Sequence, residues 1–315
     1  MRSSRAICVS HDAALQRIVE RALARAGVAV EHCDDVPEHT RGAVLVVVDR
    51  AAREAAGDRL REVAAPVVIV GGDLDDDALI AAMLEAPVSH LVGDPVDRDL
   101  GITSHKLASG DLFGLEKYLI GGGAVGERSV ANDTDKRHAV GEICAWAEAI
   151  GARRPIVHRL ASVADELMMN ALHDAPGAPV GAERSPEPGA SPPEAVDVSA
   201  ETHLPPERRA VLRWGSDDDV IAISVGDSCG ALRQRDVIDH VRRARSERGR
   251  PRPESEAQRG AGLGLYLVFA NVASLVINVE AGRRTEVVCL FDRARLTQPA
   301  VSSVRSLHVF QTPAP

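Results

Sequence analysis

The stretch His158-Arg-Leu-Ala-Ser-Val-Ala-Asp-Glu-Leu-Met-Met-Asn-Ala-Leu172 decides how the second half of this chain folds. Leu160, Val163 and Leu167 recur at helical spacing, with Ile156 one turn earlier. Such a stripe marks the buried face of an amphipathic helix. Glu166 and Asn170 stand four residues apart, so they share a face one turn from each other, beside the apolar stripe. A carboxamide oxygen is a suitable hard ligand for Mg²⁺, and a carboxylate one turn before it can orient a water or take a proton. On their own, a glutamate and an asparagine on a helix are ordinary solvated residues.

Outward from this helix lie two further signals. Residues 220–225 form an apolar strand that pairs with 209–214 as a hairpin, and it runs into Asp227-Ser-Cys-Gly230. A carboxylate leaving a strand end can accept from an amino group such as that of adenine, and a glycine lets the backbone turn beneath the ring. Further on, Gly260-Ala-Gly262-Leu-Gly264-Leu265 opens a helix. Closely spaced glycines let backbone N–H groups approach phosphate oxygens at a helix N-terminus. A dinucleotide fold would need a strand directly before these glycines. An arginine-rich polar segment stands there instead, and no GK[ST] follows, which excludes a P-loop.

In this order, the helical ExxxN, the strand-end DxxG and the GxGLGL resemble the GHKL (Bergerat-type) ATPases. The paired helices HAVGEICAWAEAIG and HRLASVADELMMNAL are most similar to those of the anti-sigma-factor serine kinases. The resemblance spans about residues 127–292. It implies an α/β two-layer domain that binds ATP and Mg²⁺. By this resemblance Asn170 chelates the metal, Glu166 is the general base and Asp227 binds adenine. Gly230 belongs to the first glycine box, and Gly260, Gly262 and Gly264 to the second. Thr285 stands near the adenine end. One departure is plain: the first box usually reads DxGxG, and Cys229 takes the place of its first glycine. The segment between the boxes, with Arg242, Arg243, Arg245, Arg248, Arg250 and Arg252, reads either as a lid over phosphates or as a solvated face interleaved with glutamates.

The first hundred residues alternate apolar strands (6–10, 28–30, 43–48, 67–70, 88–92) with helical segments, the first capped by Asp12. This alternation indicates a doubly wound parallel sheet. Over residues 5–105 the order resembles a response-regulator receiver, with Asp49 at the phosphoacceptor position. The acidic pair that would hold Mg²⁺ falls at Ser10 and His11, the hydroxyl position at Gly71, and the lysine position at Asp94. Phosphoryl transfer needs cations around the acceptor, so the expectation is a receiver fold whose Asp49 is not phosphorylated. The expected layout is α/β: a (βα)5 receiver-like domain at 1–105, a connector at 106–126, an ATP-binding domain at 127–295 with a mobile insertion at 176–207, and a tail at 296–315.

Composition narrows the function. Aromatics make up 3% of the chain and apolar residues 45%, so the cores must be aliphatic. A net charge of -9 argues against nucleic acid. The five cysteines show no ligand spacing. No long apolar run suggests a membrane span or a signal peptide, and a cytoplasmic setting is expected. Neither His138 nor His158 is followed by an acid, as a histidine phosphoacceptor would be. The resemblance therefore implies transfer of the ATP γ-phosphoryl group to a serine or threonine of a protein partner. That partner would be a STAS-type antagonist, a sigma factor or a phosphorelay protein, and homodimerisation stays open. Two other readings stay open as well: a nucleotide-dependent switch without turnover, and the catalytic half of a split histidine kinase.

Overall fold

The aliphatic runs form one large mixed sheet. The computed structural model describes residues 4–71, 77–85, 87–174, 204–246, 264–293 and 304–312. In the N-terminal half, β1 (Ser4–Val9), β2 (Val28–Cys33), β3 (Ala43–Asp49), β4 (Val67–Val70) and β5 (Val88–Val92) are all parallel, in the order β2-β1-β3-β4-β5. This is the strand order of an open doubly wound sheet. Successive residues point to opposite faces. Ala6, Cys8, Leu45, Val47, Val68 and Val70 meet α1 (Ala13–Arg25) and α4 (Val96–Ser109) on one side. Ile7, Val9, Val46, Val48, Val67 and Ile69 meet α2 (Arg50–Ala56) and α3 (Asp77–Ala82) on the other. Asp12 caps α1 as expected, accepting from the N–H groups of Ala14 and Leu15.

The C-terminal half adds β6 (Val125–Val130), β7 (Ala210–Ser216), β8 (Val220–Asp227), β9 (Ser274–Glu280) and β10 (Arg284–Asp292). One face carries Ile221, Ile223, Val225, Leu275, Ile277 and Cys289. It packs against α5 (Asp133–Ala149), α6 (Arg154–Met169), α7 (Gln234–Ser246) and α8 (Gly264–Asn271). The stripe expected on α6 is the buried one: Ile156, Leu160, Val163 and Leu167 lie between 0% and 3% exposed. At roughly 1.5–3 kcal/mol for each fully buried aliphatic side chain, these four residues outweigh any intrinsic propensity of the helix. The opposite face, with Val220, Ala222, Val276, Val288 and Leu290, is covered by Leu112, Leu115, Tyr118 and Leu119. The connector is thus a packed cover, and the helix α4 before it extends past residue 105 to Ser109.

Residues 296–315, expected as a tail, contain β11 (Ser306–Thr312). It lies in the middle of the sheet, antiparallel to β5 and parallel to β9. The full order is β2-β1-β3-β4-β5-β11-β9-β10-β8-β7-β6, an 11-stranded sheet running through both halves. Leu307 is in register with Leu91 on one side and Leu275 on the other.

Polar groups are buried along this seam. Lys106 is 0% exposed; its Nζ donates to Tyr118 Oη at 2.5 Å and Asn278 Oδ1 at 2.7 Å, and lies 3.7 Å from the Phe310 ring centroid. Asn278 Nδ2 and the Gly114 N–H both donate to Glu286 Oε2 at 3.0 Å. His308 Nδ1 shares a hydrogen bond with Thr103 Oγ1 at 3.2 Å, and its ring lies 5.4 Å from that of His90. Ser274 and Ser306 donate to the same Asp99 oxygen.

Candidate functional site

The helix that carries Glu166 and Asn170 ends where they stand. α6 closes at Met169, and Asn170–Asp174 continues as a single π-helical turn. The Asn170 N–H bifurcates between the carbonyls of Glu166 and Leu167. Such π turns widen a helix locally and recur at functional sites. Glu166 and Asn170 are both half-buried on the flank of α6. Lys136 of α5 braces that flank: its Nζ lies 3.1 Å from Asp165 and 3.8 Å from both Asp133 and Met169 Sδ. His173 reaches Asp133 at 3.4 Å. Lys136 is buried, and the sequence reading gave it no role.

Gly264, the first residue of α8, sits against Glu166. A Cβ at position 264 would meet the Glu166 carboxylate, so the two lie directly against each other. The helix carboxylate and the last glycine of the GxGLGL segment are thereby brought together. Gly260, Gly262 and most of the arginine-rich segment lie outside the described residues, as does nearly all of the expected insertion at 176–207. Arg242 and Arg243 are exposed on α7.

Asp227 ends β8 in the alternation Ile221, Ile223, Val225, so it continues the row that faces α6. Thr285 is its cross-strand partner in β10, on the row of Cys289 and Phe291. The carboxylate accepts from the Cys229 N–H at 2.8 Å, and the Gly230 N–H, the Thr285 hydroxyl and the Cys229 thiol stand beside it. Burial pushes the Asp227 carboxyl above its ordinary pKa, against the downward pull of these groups. Burial also raises the Cys229 thiol, and the neighbouring Asp227 charge adds to the effect.

Gly230 has φ +60, and any Cβ there would lie 2.6 Å from the Arg283 N and 2.8 Å from the Arg284 N. Its carbonyl accepts from the Gly282 N–H at 3.0 Å. The Asp227–Gly230 turn is thus clamped to the β9–β10 hairpin. α6 and the π turn both contact β8. Glu166, Asn170, Gly264, Asp227 and Thr285 therefore gather on one side of the sheet.

The N-terminal candidate is arranged differently. Asp49 caps α2, accepting from the Ala52 N–H at 2.7 Å through one oxygen, while its other oxygen accepts from the Ser10 hydroxyl. Asp12, the nearest acid in sequence to the strand-end pair, is committed to capping α1. No group of three or more His, Cys, Asp or Glu suited to a metal exists among the described residues.

No protein-family model matches the chain, and no curated protein does. Among solved structures, one similar chain comes from "The crystal structure of SiaB-SiaC complex from Pseudomonas aeruginosa". It is 13% identical, with a TM-score of 0.34, over 53% of this chain and 88% of that chain. Likeness at that level assigns neither fold nor function. Among the described residues, no helix is long and apolar enough to cross a membrane.

Proposed function

We propose that the C-terminal half is a GHKL-type ATP-Mg²⁺ site and that the chain is a signalling protein acting on a protein partner. The observation that carries this reading is the gathering of Glu166, Gly264, Asp227 and Thr285 on one face of the sheet, with Asn170 one turn from Glu166. Asn170 would hold Mg²⁺ through its carboxamide oxygen, together with phosphate oxygens and water, a ligand set that suits this ion. The bound metal would neutralise charge on the phosphates. Glu166 would take a proton from an incoming hydroxyl. Asp227 and Thr285 offer an acceptor and a hydroxyl to the adenine edge. The N–H groups at the start of α8 would take the phosphates.

The favoured activity is transfer to a serine or threonine of a STAS-type partner. A binding-only switch is supported by one observation: Cys229 stands beside the Asp227 carboxylate, where the first box usually has a glycine. The N-terminal half is read as a receiver-type fold that acts by contact. Both Asp49 oxygens serve protein donors, so acetyl phosphate is expected to leave Asp49 unmodified by intact mass; a stoichiometric phosphoryl adduct there would overturn that part.

Calorimetry with ADP and Mg²⁺ tests the site. The wild type is expected to bind, and Asn170→Ala to bind at least about tenfold more weakly, the loss of a charge-assisted contact, and to transfer no phosphate. Acid-stable phosphate on the partner identifies serine or threonine as acceptor. Absence of binding heat in the wild type would remove the whole reading.

A further inference from the structure

α7 touches both halves of the molecule. Val237, Ile238 and Val241 are all 0% exposed. They join a core shared with Leu79, Ile80, Met83 and Leu91 of the N-terminal half and with Val268, Phe269 and Val272 on the α8 side. α7 contacts α3 and α8, and α8 in turn contacts α6. At the start of α7, the Gln234 side-chain amide donates to the carbonyl of Met83 at 2.5 Å and to that of Val88 at 2.7 Å. Met83 directly follows α3, and Val88 opens β5. Both N–H groups of one amide are thus spent bridging the corner between α3 and β5.

We propose that Gln234 is a positioning residue for the nucleotide site, tying the α3–β5 corner to α7 and, through α7, setting the α8 N-terminus that meets Glu166. This rests on reading the Glu166–Asp227 face as a nucleotide site. The two bonds fix both the height and the rotation of the first turn of α7. A close-packed core transmits displacement rather than absorbing it, so a shift at the corner moves α7 against α8. Coupling between sites is reciprocal. If the corner biases nucleotide binding, nucleotide must in turn bias the corner.

Hydrogen exchange on the full chain reads this directly. With ADP-Mg²⁺, amides in residues 83–92 are expected to exchange more slowly in the wild type and to lose that response in Gln234→Leu, which keeps the volume and removes both donors. The variant is also expected to bind ADP-Mg²⁺ about fivefold or more weakly, the lower end of ordinary coupling. Purely structural bonds would lower urea stability while leaving the nucleotide response of the corner intact. A wild type that binds ADP-Mg²⁺ with no change over 83–92 overturns the inference without needing the variant. So does a variant that keeps both affinity and response. A wild type that binds no adenine nucleotide overturns the nucleotide reading itself, and this inference with it.

Discussion

At the scale of single residues, the Asp227 carboxylate is the informative group. An ionised carboxylate has about four lone-pair positions; the Cys229 N–H fills one at 2.8 Å, and the Gly230 N–H, the Thr285 hydroxyl and the Cys229 thiol stand beside the others. The backbone donors belong to the turn, and Thr285 is buried in a strand. The thiol is the weakest donor, on a half-buried residue, so it is the one an adenine amino group would displace. Cys229→Gly is therefore expected to tighten ADP-Mg²⁺ binding roughly fivefold, about 1 kcal/mol for one hydrogen bond no longer displaced. Cys229→Ser, which keeps a donor, should gain nothing. Equal gains for both variants in calorimetry would show that the thiol bond is irrelevant.

The identities of Glu166, Asn170, Asp227 and Gly264 were legible in the sequence because each sits at a fixed offset within a short motif. The bracing role of Lys136 was not, since it depends on α5 meeting α6. The one clue was scarcity: the chain has three lysines, Lys106, Lys117 and Lys136. Lys106 and Lys136 are buried, and Lys117 is held by the Phe113 carbonyl and Asp111.

At the scale of elements, the five N-terminal strands and the β7–β8 hairpin are legible as apolar runs bounded by turn residues. β11 is not. Its sequence, SLHVFQT, mixes buried polar residues with apolar ones, and Ser306 and His308 are buried only because Asp99 and Thr103 await them across the seam. The last turn of helix α4 falls in the expected connector for a similar reason: Thr103, Ser104 and Lys106 on its buried face look solvent-facing in sequence.

The importance of β11 can be measured. Leu307 pairs with both neighbours and is 0% exposed. Proline there removes a ladder hydrogen bond in a central strand, where sheets do not tolerate it. Leu307→Pro is expected to split urea unfolding into two transitions, because the halves lose the strand that joins them. A single transition with an unchanged midpoint would show that β11 does not couple them.

At the scale of the whole molecule, the seam makes stability depend on pH. Burial lowers the Lys106 pKa to about 7 from 10.5, and the Glu286 charge opposes this only in part. Between those values the unfolded chain carries a proton that the folded chain has released, so stability rises with pH across that window. The His308 pKa falls to about 4 from 6.5, mainly by burial, and that of His90 falls well below its ordinary value for the same reason. His308 adds a second rise from about pH 4 to 6.5, and His90 adds to it in the same direction. Urea midpoints are expected to climb from pH 7 to 9 in the wild type and to stay nearly flat in Lys106→Met. Parallel slopes for the two proteins would exclude Lys106 as the source.

Among the described residues, the strand at the centre of this sheet comes after every other strand in chain order. During synthesis, β5 and β9 are made before the segment that will lie between them. A newborn chain therefore passes through an interval in which the edges of β5 and β9 lack the strand that joins them. The same interval would be made permanent by any stop codon that falls before Ser306.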